Sequence, residues 1–552
     1  MTTIKKVLLS LTLCLICIQT TLAQLELTPP ITPKWAFGHI VWEDNRNTQE
    51  DAIKLVNLYL EHQMPVDGII IDSPWSNSYN DLNWDTQRYP KSSEMIQTLN
   101  EKGVKVILWL TGALNTIGND VPLQKNPYFD EVVEKGFVVN NGEESEWWKG
   151  KGVYIDFTNP EAVQWWNKQL DKVTIEGVYG FKVDNAASFF GDTVKTSIGE
   201  LDNTTFRQYY YSSMSDYITS KKSDGIILAR PYSHQGGKTN KPGVYAPVNK
   251  LGLGWCGDFS GNWKGIKLQI NNIYKSAEFG YGAISCEVGG FWRAGSTKQQ
   301  LIRYAQFGAF TAAMVNGGMN GAFTNHLPWW HDEETTKAYR QAVWLHEQLV
   351  PYLFSAGVDA HKNGGTIIQN WSYEQESHTL GESIFTKIIS SENNSVTFNL
   401  PKQGEWMDFW TKKVHSGGTE ISNTYALNQY PFFIKKGAII PMEISNNFSS
   451  IGDASLAGKQ TIYILPDDNK STYQYHMPLS DGIDYETVNI TYNGNKNSVK
   501  VDGTSNQPYA FLIQSELKPK RVKNADEWVY DAEKKELFIL KRGAKFSMKL
   551  KF

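Results

Sequence analysis

Two textures divide the chain. From about residue 35 to 350, short apolar runs alternate with longer stretches in which apolar positions recur at helical spacing. The runs predict strands over 35–42, 68–71, 104–110, 180–183, 225–229, 252–255, 283–286 and 321–323. The longer stretches predict helices such as 48–63 and 92–102. Alternation on this scale means parallel β/α units, because parallel neighbours need a long crossover between them. Eight strands over this length suit a (β/α)8 barrel with enlarged loops better than an open sheet. No G-x-G-x-x-G follows the first strand, which argues against a dinucleotide fold. After Tyr352 the period shortens. Residues 366–440 and 460–552 alternate at strand spacing between Gly, Asn and Asp turns, which predicts two β-sandwiches divided near 444–458. The expected fold is therefore α/β: a TIM barrel over 24–355, a proximal all-β sandwich over 356–445 and a distal one over 446–552.

Composition narrows the class. Of 552 residues, 41% are hydrophobic and 20% charged, and the formal charge is −4. That profile belongs to a soluble globular protein and excludes a disordered tail and a polytopic membrane protein. No basic run stands out, so no nucleic-acid partner is expected. The chain is 13% aromatic with 19 Trp; such residues fill barrel interiors and also stack on the apolar faces of sugar rings. Residues 1–23 read as a removable secretory signal. Lys5 and Lys6 precede an apolar run over 7–18, and Thr21 and Ala23 supply the small residues for cleavage. The run is too short to span a bilayer, and a periplasmic or extracellular protein is expected. Cys17 lacks the small preceding residue of a lipid-anchored cysteine. Once the leader is removed only Cys256 and Cys286 remain. One disulfide is chemically allowed, and two buried thiols is the favoured reading.

Side chains at the C-terminal ends of barrel strands share one pocket. Those positions carry Asp72, Trp109, Lys182, Asp184, Arg230, Asp258, Glu287 and His326. There is no HExxH, no serine nucleophile elbow and no compact ligand spacing, so neither a metal nor another cofactor is expected. Two carboxylates from different strands between aromatic walls is what glycoside hydrolysis needs, one protonated and one ionised. Lys182 shares the pore-facing side of its strand with Asp184 and is expected to hold it ionised. On spacing alone, a structural ion pair at the barrel mouth stays open as the alternative.

Longer motifs sharpen this. VYIDFTNPEAVQWW (153–166) resembles the DFTNPEA-x-x-WW segment of glycoside hydrolase family 31. IDSPW, RYP, GFKVD, LARPYSHQGG, LGLGWCGDFSGNW, CEVGGFWRAGS, NHLPWW, LVPYL, GEWMDFW and PFFIKKGAIIP follow in the family's order, over about residues 35–445. The resemblance implies a retaining α-glycosidase with Asp184 as nucleophile and Asp258 as acid/base. It implies that Asp72, Trp75, Trp109, Lys182, Arg230 and His326 bind the sugar, with Trp255 and Phe291 as walls. Asp72 and His326 are expected on opposite parts of the barrel, gripping two sides of one terminal ring. Three motifs depart from the family pattern. Asn185, Ala186 and Ala187 replace the segment that usually carries a Glu after the nucleophile. Cys256 stands for the Ser of W-S-G-D, and Glu287 for the Asp of D-I-G-G-F. The usual N-terminal β-sandwich is read as missing, which would open one wall. The K-x-D form resembles the α-xylosidase and α-galactosidase branches. The expected substrate is an oligosaccharide or polysaccharide-derived terminal α-galactoside, with α-xyloside, α-glucoside or transglycosylation as alternatives. A non-catalytic sugar-binding protein is the other class to be tested.

Overall fold

A computed structural model of the chain describes residues 28–44, 48–184, 190–233, 243–292, 296–319, 324–447 and 451–552. A closed barrel of eight strands occupies the first part. Its strands are β1 (His39–Glu43), β2 (Gly68–Ile71), β3 (Lys105–Leu110), β4 (Gly180–Val183), β5 (Ile226–Ala229), β6 (Leu253–Trp255), β7 (Ile284–Val288) and β8 (Met314–Asn316). Each pairs in parallel with the next, and β8 returns to β1 with His39 opposite Met314. GIII, GFKV and IILA are buried at every position. Helices cover one face of such strands and bore-filling side chains the other, which is why they read in sequence as nearly continuous apolar runs, with Lys182 of GFKV as the exception.

Helix starts follow local chemistry. The DFTNPEA run launches helix Pro160–Thr174: Asp156 Oδ1 accepts from the Thr158 backbone N–H and hydroxyl, and Asn159 accepts from Glu161 N. Pro160 then takes the first helical position, where no N–H is required. Thr297 and Gln300 form a capping box on helix Lys298–Gly308.

Two strand expectations are corrected. The segment predicted as a strand over 35–42 opens with a single 3-10 turn, Lys34–Phe37, and the strand begins at His39. Gly38 makes the join because a Cβ there would lie 2.2 Å from Asp67 Oδ2. The shift carries β1 on to Glu43. The eighth strand is Met314–Asn316, whereas 321–323 lies outside the described residues. Three residues suffice because β7 and β1 pair with them on both sides. The sequence reading also missed a three-stranded antiparallel sheet between β3 and helix Pro160–Thr174, made by Ala113–Gly118, Gly150–Tyr154 and Ser145–Trp147.

The last barrel helix, Glu333–Asn363, runs past residue 355. Beyond it lie the all-β domains. A six-stranded sheet over residues 368–435 packs on a two-stranded one (Ser395–Asn399 with Glu420–Thr424), and Phe385, Phe398, Trp406, Ile421 and Phe433 lie between them. The second domain is one eight-stranded sheet that already includes Ile439–Met442. Its long strands Ser498–Gln514 and Glu536–Lys551 slip register between Asp502 and Gln507. Such a slip bends a sheet, which lets the two halves close over Val488, Val499, Phe511 and Ile539. One apolar core runs from the barrel into both domains, through Phe310, Leu353, Phe432 and Ile440.

Candidate active site

The barrel's strand ends bring most of the expected residues together. Asp72 follows β2, Trp109 is next to last in β3, Lys182 lies in β4 with Asp184 just beyond it, and Arg230 follows β5. Pairing sets Trp109 beside Lys182, and Lys182 beside Leu228. Trp255 ends β6, shortly before Asp258, and Glu287 lies in β7.

One guanidinium links the two aspartates. Arg230 Nη2 donates to Asp258 Oδ2 at 2.7 Å, and its Nε lies 3.7 Å from Asp184 Oδ1. The Trp109 indole N–H donates to the other oxygen of Asp184 at 3.1 Å. The ring of Trp255 backs the guanidinium at 4.0 Å. Lys182 and Asp72 form a second buried pair at 2.8 Å. The lysine ammonium also sits 3.6 Å from the Trp42 ring centroid and 4.4 Å from that of Trp255. Trp42 in turn stacks on Phe291, with centroids 5.7 Å apart and planes 10° apart.

Electrostatics separates these groups. Burial raises Asp258 above the ordinary carboxylate range, opposed by Arg230 and reinforced by the negative charge of Asp184. Burial and the neighbouring charge of Asp258 push Glu287 well above the usual carboxylate range, against the pull of Lys182 and Arg230. Burial would lower Lys182, but Asp72, Asp258, Asp184 and Glu287 together leave it raised and charged. Asp44, just past β1, is 9% exposed. Burial and the neighbouring Asp72 raise it to about 7, with Lys149 and Lys182 opposing.

Three details differ from expectation. The direct partner of Lys182 is Asp72, while Arg230 and Trp109 contact Asp184. His326 does not lie across the barrel from Asp72. It follows β8, which is separated from β2 only by β1, and its Nε2 bonds Glu43 Oε1 at 2.9 Å. Trp75 is 2% exposed, donates to the Trp109 carbonyl at 2.8 Å and packs on Trp84, so it props the strand that carries Trp109. Cys256 and Cys286 are free, buried thiols that both lie 3.4 Å from Gln269 Oε1. Asn185, Ala186 and Ala187 lie outside the described residues. Sequence reasoning missed Trp42, Glu43 and Asp44. The signal was the VWED run, had the first strand been carried to its acidic end.

Comparison with known proteins agrees with this architecture. Residues 29–356 match the glycosyl hydrolases family 31 TIM-barrel domain, and residues 360–440 match the family's C-terminal domain. Alpha-glucosidase 2 of Bacillus thermoamyloliquefaciens is 24% identical over 510 residues, covering 87% of this chain and 62% of that protein. An alpha-xylosidase of Emericella nidulans is 22% identical over 524 residues, covering 86% of this chain and 63% of its own. The chain thus spans less than two thirds of either relative. A family 31 dextranase of Flavobacterium johnsoniae, solved with glucose, superposes with a TM-score of 0.80 at 19% identity, covering 95% of this chain and 71% of that one. The family's barrel domain alone accounts for more than half of the sequence, and the chain belongs to glycosyl hydrolase family 31.

Proposed function

We propose that the chain is an exo-acting retaining α-glycosidase with Asp184 as nucleophile and Asp258 as acid and then base. The observation that carries this is a pair of carboxylates, from β4 and the loop after β6, bridged by Arg230 and set in unlike surroundings. Burial favours a proton on Asp258, with the Arg230 guanidinium opposing and the charge of Asp184 reinforcing it. In the first step an Asp184 oxygen bonds the anomeric carbon as the glycosidic C–O bond breaks, and the Asp258 proton passes to the leaving oxygen. As an ester, Asp184 carries no charge, so the repulsion that raises Asp258 is gone. Asp258 then takes a proton from water as the water oxygen displaces Asp184. Two inversions retain the configuration.

The galactoside inferred from the K-x-D form finds no support in the relatives named above, whose names speak of glucose, xylose and dextran. In the structure the ammonium of that lysine pairs with Asp72. We therefore take the terminal sugar to be an α-glucoside, with α-xyloside second. A panel of aryl α-glycosides tests this. The α-glucoside should exceed the α-galactoside by at least about tenfold, or roughly 1.4 kcal/mol of barrel-site discrimination, and Asp184→Ala should abolish turnover. A galactoside in first place would restore the earlier choice of sugar. Sugar binding without turnover of any member would favour a binding protein. The leader over residues 1–23, outside the described residues, supports export, and a mature N-terminus at Gln24 is the corresponding measurement.

A further inference from the structure

The sheet between β3 and helix Pro160–Thr174 leaves the barrel on the same side as the carboxylates. Its hairpin strands, Ser145–Trp147 and Gly150–Tyr154, are joined by Trp148 and Lys149. Trp147 lies parallel to Trp109, planes 5° apart and centroids 6.5 Å apart, and Trp109 is the residue bonded to Asp184. The hairpin tip is braced. Trp147 Nε1 donates to Asn115 at 2.9 Å, Asn115 Nδ2 donates to the Lys149 carbonyl at 3.0 Å, and Lys149 pairs with Asp120 at 3.1 Å. Gly150 allows the close turn, since a Cβ there would meet the Ile117 carbonyl. The Tyr79 ring packs edge-on against both Trp109 and Trp147, which ties the hairpin to the strand end that contacts Asp184. Yet Trp148, edge-on to Trp147 with centroids 5.1 Å apart, leaves 45% of its surface in solvent.

A large apolar ring held in place at the rim of a polar site costs solvation that an adjacent ligand can recover. We propose that Trp148 is the platform of an acceptor subsite, its indole stacking on the apolar face of the sugar on the leaving-group side of the cleaved bond. The proposal rests on the α-glycosidase reading above and adds to it a specificity-determining residue, one that favours glycosides whose leaving group is itself a sugar.

The test compares an α-linked glucose disaccharide with α-glucosyl fluoride, which carries no acceptor ring to stack. Trp148→Ala should lower kcat/KM on the disaccharide by about tenfold more than on the fluoride, and Trp148→Tyr should recover most of that difference. Equal losses on both substrates would mean that Trp148 only supports Trp147 and Trp109, and would overturn the proposal. So would a selective disaccharide loss in Trp292→Ala, on the loop after β7, with none in Trp148→Ala. Binding separates this from a failure of the catalytic reading. In an Asp184→Ala background, where turnover is not needed, calorimetry should show Trp148→Ala weakening the disaccharide about tenfold more than glucose. Equal weakening would overturn the subsite even if no glycoside is turned over.

Discussion

Asp184 and Asp258 are one residue type within reach of one guanidinium, and the proposed mechanism gives them different roles. Because Asp258 is expected to donate its proton to the leaving oxygen, Asp258→Asn should lose far less on an activated aryl glycoside than on a disaccharide, since a good leaving group needs little protonation. Equal losses would point to sugar binding instead. Asp44 offers a pH test of the same kind of burial. Its folded pKa, about 7, lies above the ordinary value near 4. Below that ordinary value it contributes nothing that depends on pH. Between the two values the unfolded chain ionises while the folded one keeps its proton, so stability falls as pH rises, and the full penalty stands above about 7. Asp44→Asn removes that penalty. It should stabilise the protein at pH 8 by about 2–4 kcal/mol and leave stability near pH 3.5 almost unchanged, as read by urea unfolding at both pH values. A gain of the same size at both would show that ionisation is not the cause.

At the scale of elements, β1 and the segment after β8 act as one unit beneath the site. Gly317 follows β8, and a Cβ there would lie 2.1 Å from Trp42 Cδ1 in β1. Trp42 stacks on Phe291 and carries the ammonium of Lys182, so its displacement reaches the Lys182–Asp72 pair. Gly317→Ala should therefore cost about 1–3 kcal/mol through overpacking and also lower kcat/KM. Gly103→Ala is a control for loss of a glycine away from close neighbours: it has a positive φ but nothing near its Cβ, and should affect stability with little effect on kcat/KM. If both variants left kcat/KM alone, the Trp42 stack would not position the site. The hairpin over Ser145–Tyr154 shows the limit of pattern reading at this scale. Its glycines and the SEWWKGKG run carry no clean alternation, and the sheet rests on pairing within the hairpin and with Ala113–Gly118.

Across the whole molecule, the β domains are fastened to the barrel by buried polar groups as well as by the shared core. Arg303, on helix Lys298–Gly308, donates to the carbonyls of Gln429 at 2.6 Å and Tyr425 at 3.0 Å, and burial lowers its pKa to about 10. Arg303→Met keeps the bulk but leaves those carbonyls without their donor, at a cost of about 2–4 kcal/mol. Faster hydrogen exchange over residues 368–435 is the expected readout, and unchanged exchange would show that the core alone holds the domain. Apolar runs, helical spacing and turn residues are local properties of the chain, so the barrel, the all-β character of the remainder and most of the strand-end set were legible in sequence, while Trp42, Glu43 and Asp44 at the end of β1 were not. Most of the helix starts were equally local, as in the Asn159–Pro160 cap. Tertiary structure alone decided the pairings. Lys182 meets Asp72 and leaves Asp184 to Arg230 and Trp109, and His326 meets Glu43 across 283 positions of chain. Those partners are fixed by the cyclic order and register of strands in a closed barrel, and by which side chains its burial leaves charged, and neither is a property of any single segment.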